Sequence, residues 1–151
     1  MGKMIFFSAL LMLLAVILLF LLIPRSPARP LARETLNING NLLYVEVADT
    51  SAARSQGLSD REQLAENQGM LFVFPVPAIY PFWMKDMKFP IDIIWIRGNK
   101  VIGVADNAAV PGGATLPIYS PPGLMDKVLE VGVGVAAKLG IKEGTIIKQQ
   151  D

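Results

Sequence analysis

Apolar and polar positions divide the chain into two unequal parts. Residues 4–23 are apolar with the sole exception of Ser8. As a helix rising about 1.5 Å per residue, a run of this length covers the roughly 30 Å hydrocarbon core of a bilayer. A helix also satisfies its own backbone hydrogen bonds there, which lipid cannot do. No polar stripe interrupts the run, as a helix on the surface of a soluble domain would require. A cleaved signal peptide is the rival, but its apolar stretch is usually about 7–15 residues, followed by a small-x-small site. Here the stretch is longer and leads into Pro24-Arg25-Ser26-Pro27-Ala28-Arg29-Pro30. The pattern therefore predicts a tail over 1–3, an uncleaved single-pass signal anchor over 4–23, and a lipid bilayer as its partner.

Residues 24–34 carry three prolines and three arginines without apolar periodicity, and predict a semi-stiff linker. From 35 to 151 the pattern changes to short alternating runs. Asn39-Gly40 is a hairpin signal, followed by a strand over 42–48 with Leu43, Val45 and Val47 on one face. Thr50 and Ser51 can cap a short helix from Ala52 that Gly57 ends. Ser59-x-x-Glu62 has capping-box spacing and predicts a second short turn. Residues 70–74 predict a strand broken by Pro75 and Pro77, residues 80–85 an extended segment, and residues 91–96 and 101–105 a hairpin about Gly98. Residues 107–123, rich in Pro and Gly, predict a long loop of the kind that often binds ligands. A strand over 127–133, a short helix ended by Gly140 and a last strand over 145–148 complete the chain. Many short strands with turn signals predict a mainly β fold, a small β-sandwich or jelly-roll-like barrel with one or two short helices.

Composition removes several chemistries. The chain has no cysteine and no histidine, which excludes disulfides, thiolate or imidazole metal ligands and the commonest hydrolytic triads. No Gly-x-Ser-x-Gly elbow, phosphate loop or dinucleotide glycine pattern occurs, so neither a metal nor a cofactor is expected. The formal charge of +1 conceals an uneven distribution. Setting aside Lys3, Arg25, Arg29, Arg33 and Glu34 leaves 10 basic and 12 acidic side chains, so the domain is near −2. A nucleic-acid partner would call for a basic face, which the domain lacks. Arg25, Arg29 and Arg33 suit anionic headgroups beside a membrane. Taken literally, the positive-inside rule places the domain in the cytoplasm.

Alternation along the strands gives candidate chemistry. Asp92 shares a strand face with Ile94 and Ile96, opposite Ile91, Ile93 and Trp95; Glu130 shares one with Val128, opposite Leu129 and Val131. Both carboxylates therefore lie in strands that are apolar on both faces and are expected to be buried on both sides. An unpaired buried carboxylate is costly, and Arg54 and Lys85 are the expected partners. Three alternatives stand open: structural ion pairs, a ligand pocket formed with Trp83 and Lys85, and acid–base catalysis by the carboxylate pair. Phe72, Phe74, Trp83 and Met84 are read as core.

Several runs together resemble one family. Arg54-x-x-Gly57-Leu58-x-x-Arg61-x-x-Leu64, Gly69-Met70-Leu71-Phe72-x-Phe74, Phe82-Trp83-Met84-Lys85 and Pro90-x-Asp92 resemble the domain of unknown function 192 family. Leu129-Glu130 with Gly134, and Gly140-Ile141-x-x-Gly144, are similar to its C-terminal pattern. The resemblance covers residues 42–147. It implies a compact β-sandwich or jelly-roll-like fold, frequent export in bacteria and no particular reaction. The family's Asn-Thr after Trp-Met-Lys is replaced here by Asp86-Met87, so no polar role carries over to those two positions. The signature singles out Arg54, Gly57, Gly69, Trp83, Lys85, Asp92 and Glu130.

The sequence thus predicts a membrane-tethered, extracytoplasmic binding module, the side being taken from the family tendency against the arginine count. Arg54, Trp83, Lys85, Asp92 and Glu130 are the candidate ligand-binding residues, and the Pro/Gly loop is expected to join the Trp83–Lys85 face in the site. The expected ligand is a small anionic or sugar-like molecule, or a partner protein. Two alternatives remain: a hydrolase-like enzyme with Asp92 and Glu130 as acid and base, and a structural envelope protein. For the enzyme the two carboxylates should open to one cleft, roughly 5–10 Å apart.

Overall fold

The structure, a computed structural model, describes residues 30–113 and 116–150 together with Met12. Apart from Met12, the expected membrane segment 4–23 lies outside the described residues, as do the tail 1–3 and linker residues 24–29. No helix among the described residues is long and apolar enough to cross a membrane.

The chain enters the domain on a hairpin. β1 (Ala32–Ile38) and β2 (Asn41–Ala48) pair antiparallel across Asn39-Gly40, both with positive φ, 52° and 84°. That is the geometry a two-residue hairpin turn demands. Ala32, Arg33 and Glu34 thus belong to a strand and not to the linker in which they were expected. α1 (Ser51–Gln56) follows, capped by the Thr50 hydroxyl accepting from the Ala53 N–H and closed at Gly57, φ 51°. The turn expected from the Ser59–Glu62 spacing does not become a helix, and Asp60 takes φ 66°.

β3 (Gln68–Ala78) returns parallel to β2, which the connection through α1 makes possible. It runs through Pro75 and Pro77, where a break was expected; the prolines instead interrupt its ladder with β8 (Met125–Gly132) between Val73 and Ala78. β4 (Phe82–Trp83) and β7 (Ile118–Tyr119) form a separate two-stranded pair. β5 (Ile91–Arg97), β6 (Lys100–Ala108), β8 (Met125–Gly132), α2 (Val135–Lys138) and β9 (Ile147–Gln150) complete the order.

The main sheet has seven strands in the order β6-β5-β8-β3-β2-β1-β9. It is mixed, with one parallel pair, and is neither the expected two-sheet sandwich nor a closed barrel. Its edges meet only at one end, where Val101 and Asn99 exchange backbone hydrogen bonds with residues 144–147. One face packs Leu36, Leu43, Leu71, Ile94 and Leu129 against α2. The other packs Met70, Phe72, Ile93, Trp95 and Val128 beneath Leu58, Met84 and Met87. Ile91 through Ile96 are therefore all buried, as an apolar run on both faces predicts.

Gly69 shows how closely the central strands approach. A Cβ there would lie 2.9 Å from the carbonyl oxygen of Glu130 on β8. Gly69→Ala is expected to destabilise the domain by about 1–3 kcal/mol, the usual range for overpacking. Urea unfolding measures this, and an unchanged midpoint would show that β3 and β8 move apart at no cost.

Candidate functional site

Asp92 and Glu130 face opposite sides of the sheet. Asp92 is registered against Val131 and Glu130 against Ile93, and paired residues share a face, so neighbours in the ladder diverge. Asp92 is 1% exposed. Its Oδ1 accepts from the Asn107 N–H at 3.0 Å and its Oδ2 from the Ala136 N–H at 3.0 Å. Both donors need it. In β6, Asp106 and Asn107 bulge opposite Asp92, and Asn107 has φ 53°. In α2, the cap residue Gly134 has no side chain to offer the first turn, and the carboxylate of Asp92 takes its place. Asp92 is thus a structural ligand of backbone amides, neither paired with Arg54 or Lys85 nor open to a cleft. Asp92 and Glu130 therefore do not open to one cleft, as the enzymatic alternative requires.

Glu130 lies on the other face, at the floor of a cleft of about 300 Å³. Phe72 and Ile91 share that floor. α1 and the turn after it form one wall with Ser51, Arg54 and Ser59, and Tyr80, Phe82, Trp83 and Lys85 form the other. Four of the five candidate residues, Arg54, Trp83, Lys85 and Glu130, therefore converge. The described residues of the 107–123 loop do not line the cleft, and Ile118 reaches it only indirectly, as the cross-strand partner of Trp83.

Each wall has a local cause. The Arg54 Nη1 donates to the carbonyls of Asp49, at 2.6 Å, and Val73, at 2.8 Å. It thus ties the end of β2 to β3 just beyond Ala48–Phe72, the last registered pair of those two strands. Its guanidinium lies 5.1 Å from the centre of the Phe74 ring, a favourable placement of a cation over a π face. Phe74 stacks on Tyr80 at 4.0 Å, and Phe82 meets Phe72 edge-on at 5.3 Å. Gly57 admits the Phe72 ring, which a Cβ would approach at 3.3 Å. The opposite wall is fastened to the turn after α1: the Ser59 hydroxyl donates to the Lys85 carbonyl, and the Asp60 N–H to that of Asp86. Lys85 projects outward, 3.8 Å from Asp86, its immediate neighbour.

Trp83 is 60% exposed while Met84 beside it is 1% exposed. Of the four residues expected in the core, Phe72 and Met84 are there, Phe74 is half-buried and Trp83 is not. Tyr80 and Phe82 are the site residues that strand alternation did not single out; the crowding of aromatic residues over 72–83 was the available signal.

Glu130 is the unusual group. It is 6% exposed and has no hydrogen bond or ion pair among the described residues. Burial alone pushes its carboxyl up to about 8, because charge is disfavoured away from water. Between about pH 4.5 and 8 the folded protein therefore keeps a proton that the unfolded chain releases. Stability is expected to fall as pH rises through that window, by about 1 kcal/mol per pH unit, and to level off above it. Glu130→Gln, neutral at every pH, should flatten the slope and be the more stable form at pH 8. Urea midpoints at pH 5, 6.5 and 8 test this; an identical slope in both forms would place the proton elsewhere.

A larger hollow of about 370 Å³ lies beside β1 and β2 and includes Arg33, Glu46 and Arg61. There Glu46 already pairs with Arg61, and with Arg33 at 3.8 Å, so its charges answer one another. Among the described residues no group of three or more His, Cys, Asp or Glu could hold a metal ion.

Fold and site define a small domain built on one mixed, curled sheet with an aromatic-walled cleft on its outer face. The chain belongs to the DUF192 family, described as an uncharacterized ACR, whose model matches residues 34–149. Two solved structures share the fold. One, a candidate transcription regulator from Sinorhizobium meliloti 1021, is 29% identical, with a TM-score of 0.73 over 82% of this chain and 98% of that one. The other, a protein of unknown function from Novosphingobium aromaticivorans, is 32% identical, with a TM-score of 0.65 over 83% of this chain and 94% of that one. Among curated proteins none matches.

Proposed function

We propose that this domain is a non-catalytic binding module for a small anionic or sugar-like molecule. The observation that carries the reading is Glu130, a buried carboxyl without a protein partner, at the floor of a cleft walled by aromatic rings. A pocket that is mostly apolar with a few convergent polar groups is the usual form of a small-ligand site. Trp83 offers an exposed flat face at the mouth, and Arg54 and Lys85 add positive charge. A purely structural role gives no reason to turn a carboxyl without a protein partner onto a cleft, where burial works against stability. An acid–base enzyme built on Asp92 and Glu130 lacks support, because one member of the pair is occupied on the far side of the sheet.

Residues 4–23 tether the module to a bilayer, and the family's tendency towards export puts the domain on the extracytoplasmic side. The length and uniformity of the apolar run support this reading. Nucleic acid is not among the proposed partners, because the domain carries no basic face; the regulator description of the Sinorhizobium protein is not carried over.

Two measurements check the proposal. In a thermal-shift screen of the full chain against monosaccharides and uronic acids, at least one compound should raise the midpoint. Binding at 100 times Kd stabilises by about 2.7 kcal/mol. Trp83→Ala should weaken that compound about tenfold, the order expected for losing an aromatic contact. A screen without shifts, or a hit insensitive to Trp83→Ala, would overturn the cleft as the site. For the tether, alkaline extraction should leave the full chain in the membrane pellet and release a chain lacking 4–23. Intact full-length protein in the supernatant would refute it.

A further inference from the structure

The charge inside the cleft narrows the ligand class. Its cationic lining groups are Arg54, from α1, and Lys85, from the opposite wall; its other ionisable groups are Tyr80 and Glu130. Asp86 adjoins Lys85 at 3.8 Å but does not line the cleft. The floor contributed by the sheet is otherwise apolar, with Phe72 and Ile91. A carboxyl held there without a partner stays neutral near pH 7, since burial raises its affinity for a proton. In that form Glu130 carries an O–H donor that no described protein group receives. The cleft therefore presents the Arg54 guanidinium, the Lys85 ammonium at its rim, partly offset by Asp86 outside the lining, and one unspent donor on its floor. A cationic ligand would meet Arg54 and Lys85. A neutral polyol would leave their field unused.

We propose that the cleft selects a small carboxylate, and that Glu130 holds it as the protonated acid, donating its O–H to a ligand oxygen while Arg54 and Lys85 balance the ligand's charge. This rests on the binding role proposed above and names the ligand's chemistry. Hydrogen bonds between an acid and a carboxylate are short and strong. They also require the proton, so binding and proton retention are linked. The bound anion holds the proton on Glu130 more tightly, and affinity falls as pH climbs past the point where the empty cleft would lose it. Glutamine in place of glutamate keeps a donor, its amide N–H, but cannot titrate.

The test uses the full chain with paired probes: acetate, benzoate and glucuronate against acetamide, benzamide and glucose. Calorimetric titrations are run from pH 6 to pH 9. At least one carboxylate should bind at pH 6 at least about tenfold more tightly than its neutral counterpart. Its affinity should be flat to about pH 7.5 and then fall by up to about tenfold per pH unit, the limit for one linked proton. Glu130→Gln should bind the same carboxylate at pH 6 and lose the fall. Carbon-13 spectra of the glutamate side chains read the proton directly: one resonance should titrate near pH 8 in the free protein, move higher with the carboxylate, and vanish in Glu130→Gln. Preference for the neutral probes would leave the binding role standing and overturn the carboxylate assignment. A pH profile unchanged by Glu130→Gln would also overturn it. If no probe of either kind binds at pH 6, the binding role and the carboxylate assignment fall together.

Discussion

Burial of the central strands on both faces is the constraint from which the other features follow. β5 and β8 lie side by side in the middle of the sheet, with apolar side chains packed above and below. A polar side chain in the fully buried stretches of these strands has no direct route to bulk water, so its position must supply a partner or leave an opening. The two carboxylates meet this demand in different ways. Asp92 binds backbone amides released by a bulge in β6 and by the start of α2. Glu130 looks onto a cleft in the outer layer. Neighbouring rungs of one ladder thereby hold one acid on backbone amides and turn the other onto the cleft.

The cleft exists because the outer face of the sheet is covered in pieces. The opposite face is closed by the curling of the sheet and by α2. Here the cover comes from α1, the turn after it and the segment through β4, stitched by Ser59 and Asp60 to the carbonyls of Lys85 and Asp86. Between these pieces the aromatic residues form walls and not a filled core. Arg54 illustrates how scaffold and site overlap: it braces two strands through Asp49 and Val73 and still lends its charge to the cleft. Gly57 and Gly69 serve the same architecture by yielding space, one to a ring of the cleft and one to the backbone of β8.

Much of this was legible in the residues. Hairpin chemistry at Asn39-Gly40, the capped helix ending at Gly57, the Gly98 hairpin and the double-sided burial of residues 91–96 all follow from local patterns, and all are present. Alternation placed Asp92 and Glu130 on definite faces of their own strands. It could not relate the two strands to each other. The antiparallel register of β5 with β8 does that, setting Ile93 and not Asp92 opposite Glu130. The expected sandwich became one mixed sheet for a similar reason. Strand lengths and turns identify strands, whereas the parallel β2–β3 pair depends on where the α1 connection returns the chain. Pro75 and Pro77 did not end β3, because an interrupted ladder tolerates residues without an N–H.

By itself, then, the sequence determined the apolar run at its start, the β character of the remainder, the absence of thiol and imidazole chemistry, and the short list of charged residues on apolar strands. These depend on the identity and spacing of neighbours along the chain, which local physics converts directly into periodicity and burial. Only the tertiary structure decided which carboxyl was satisfied and which was left without a partner, and that Arg54, Trp83, Lys85 and Glu130 surround one cleft. Hydrogen-bond partners and cleft walls are contributed by segments far apart in sequence, and register and packing bring them together.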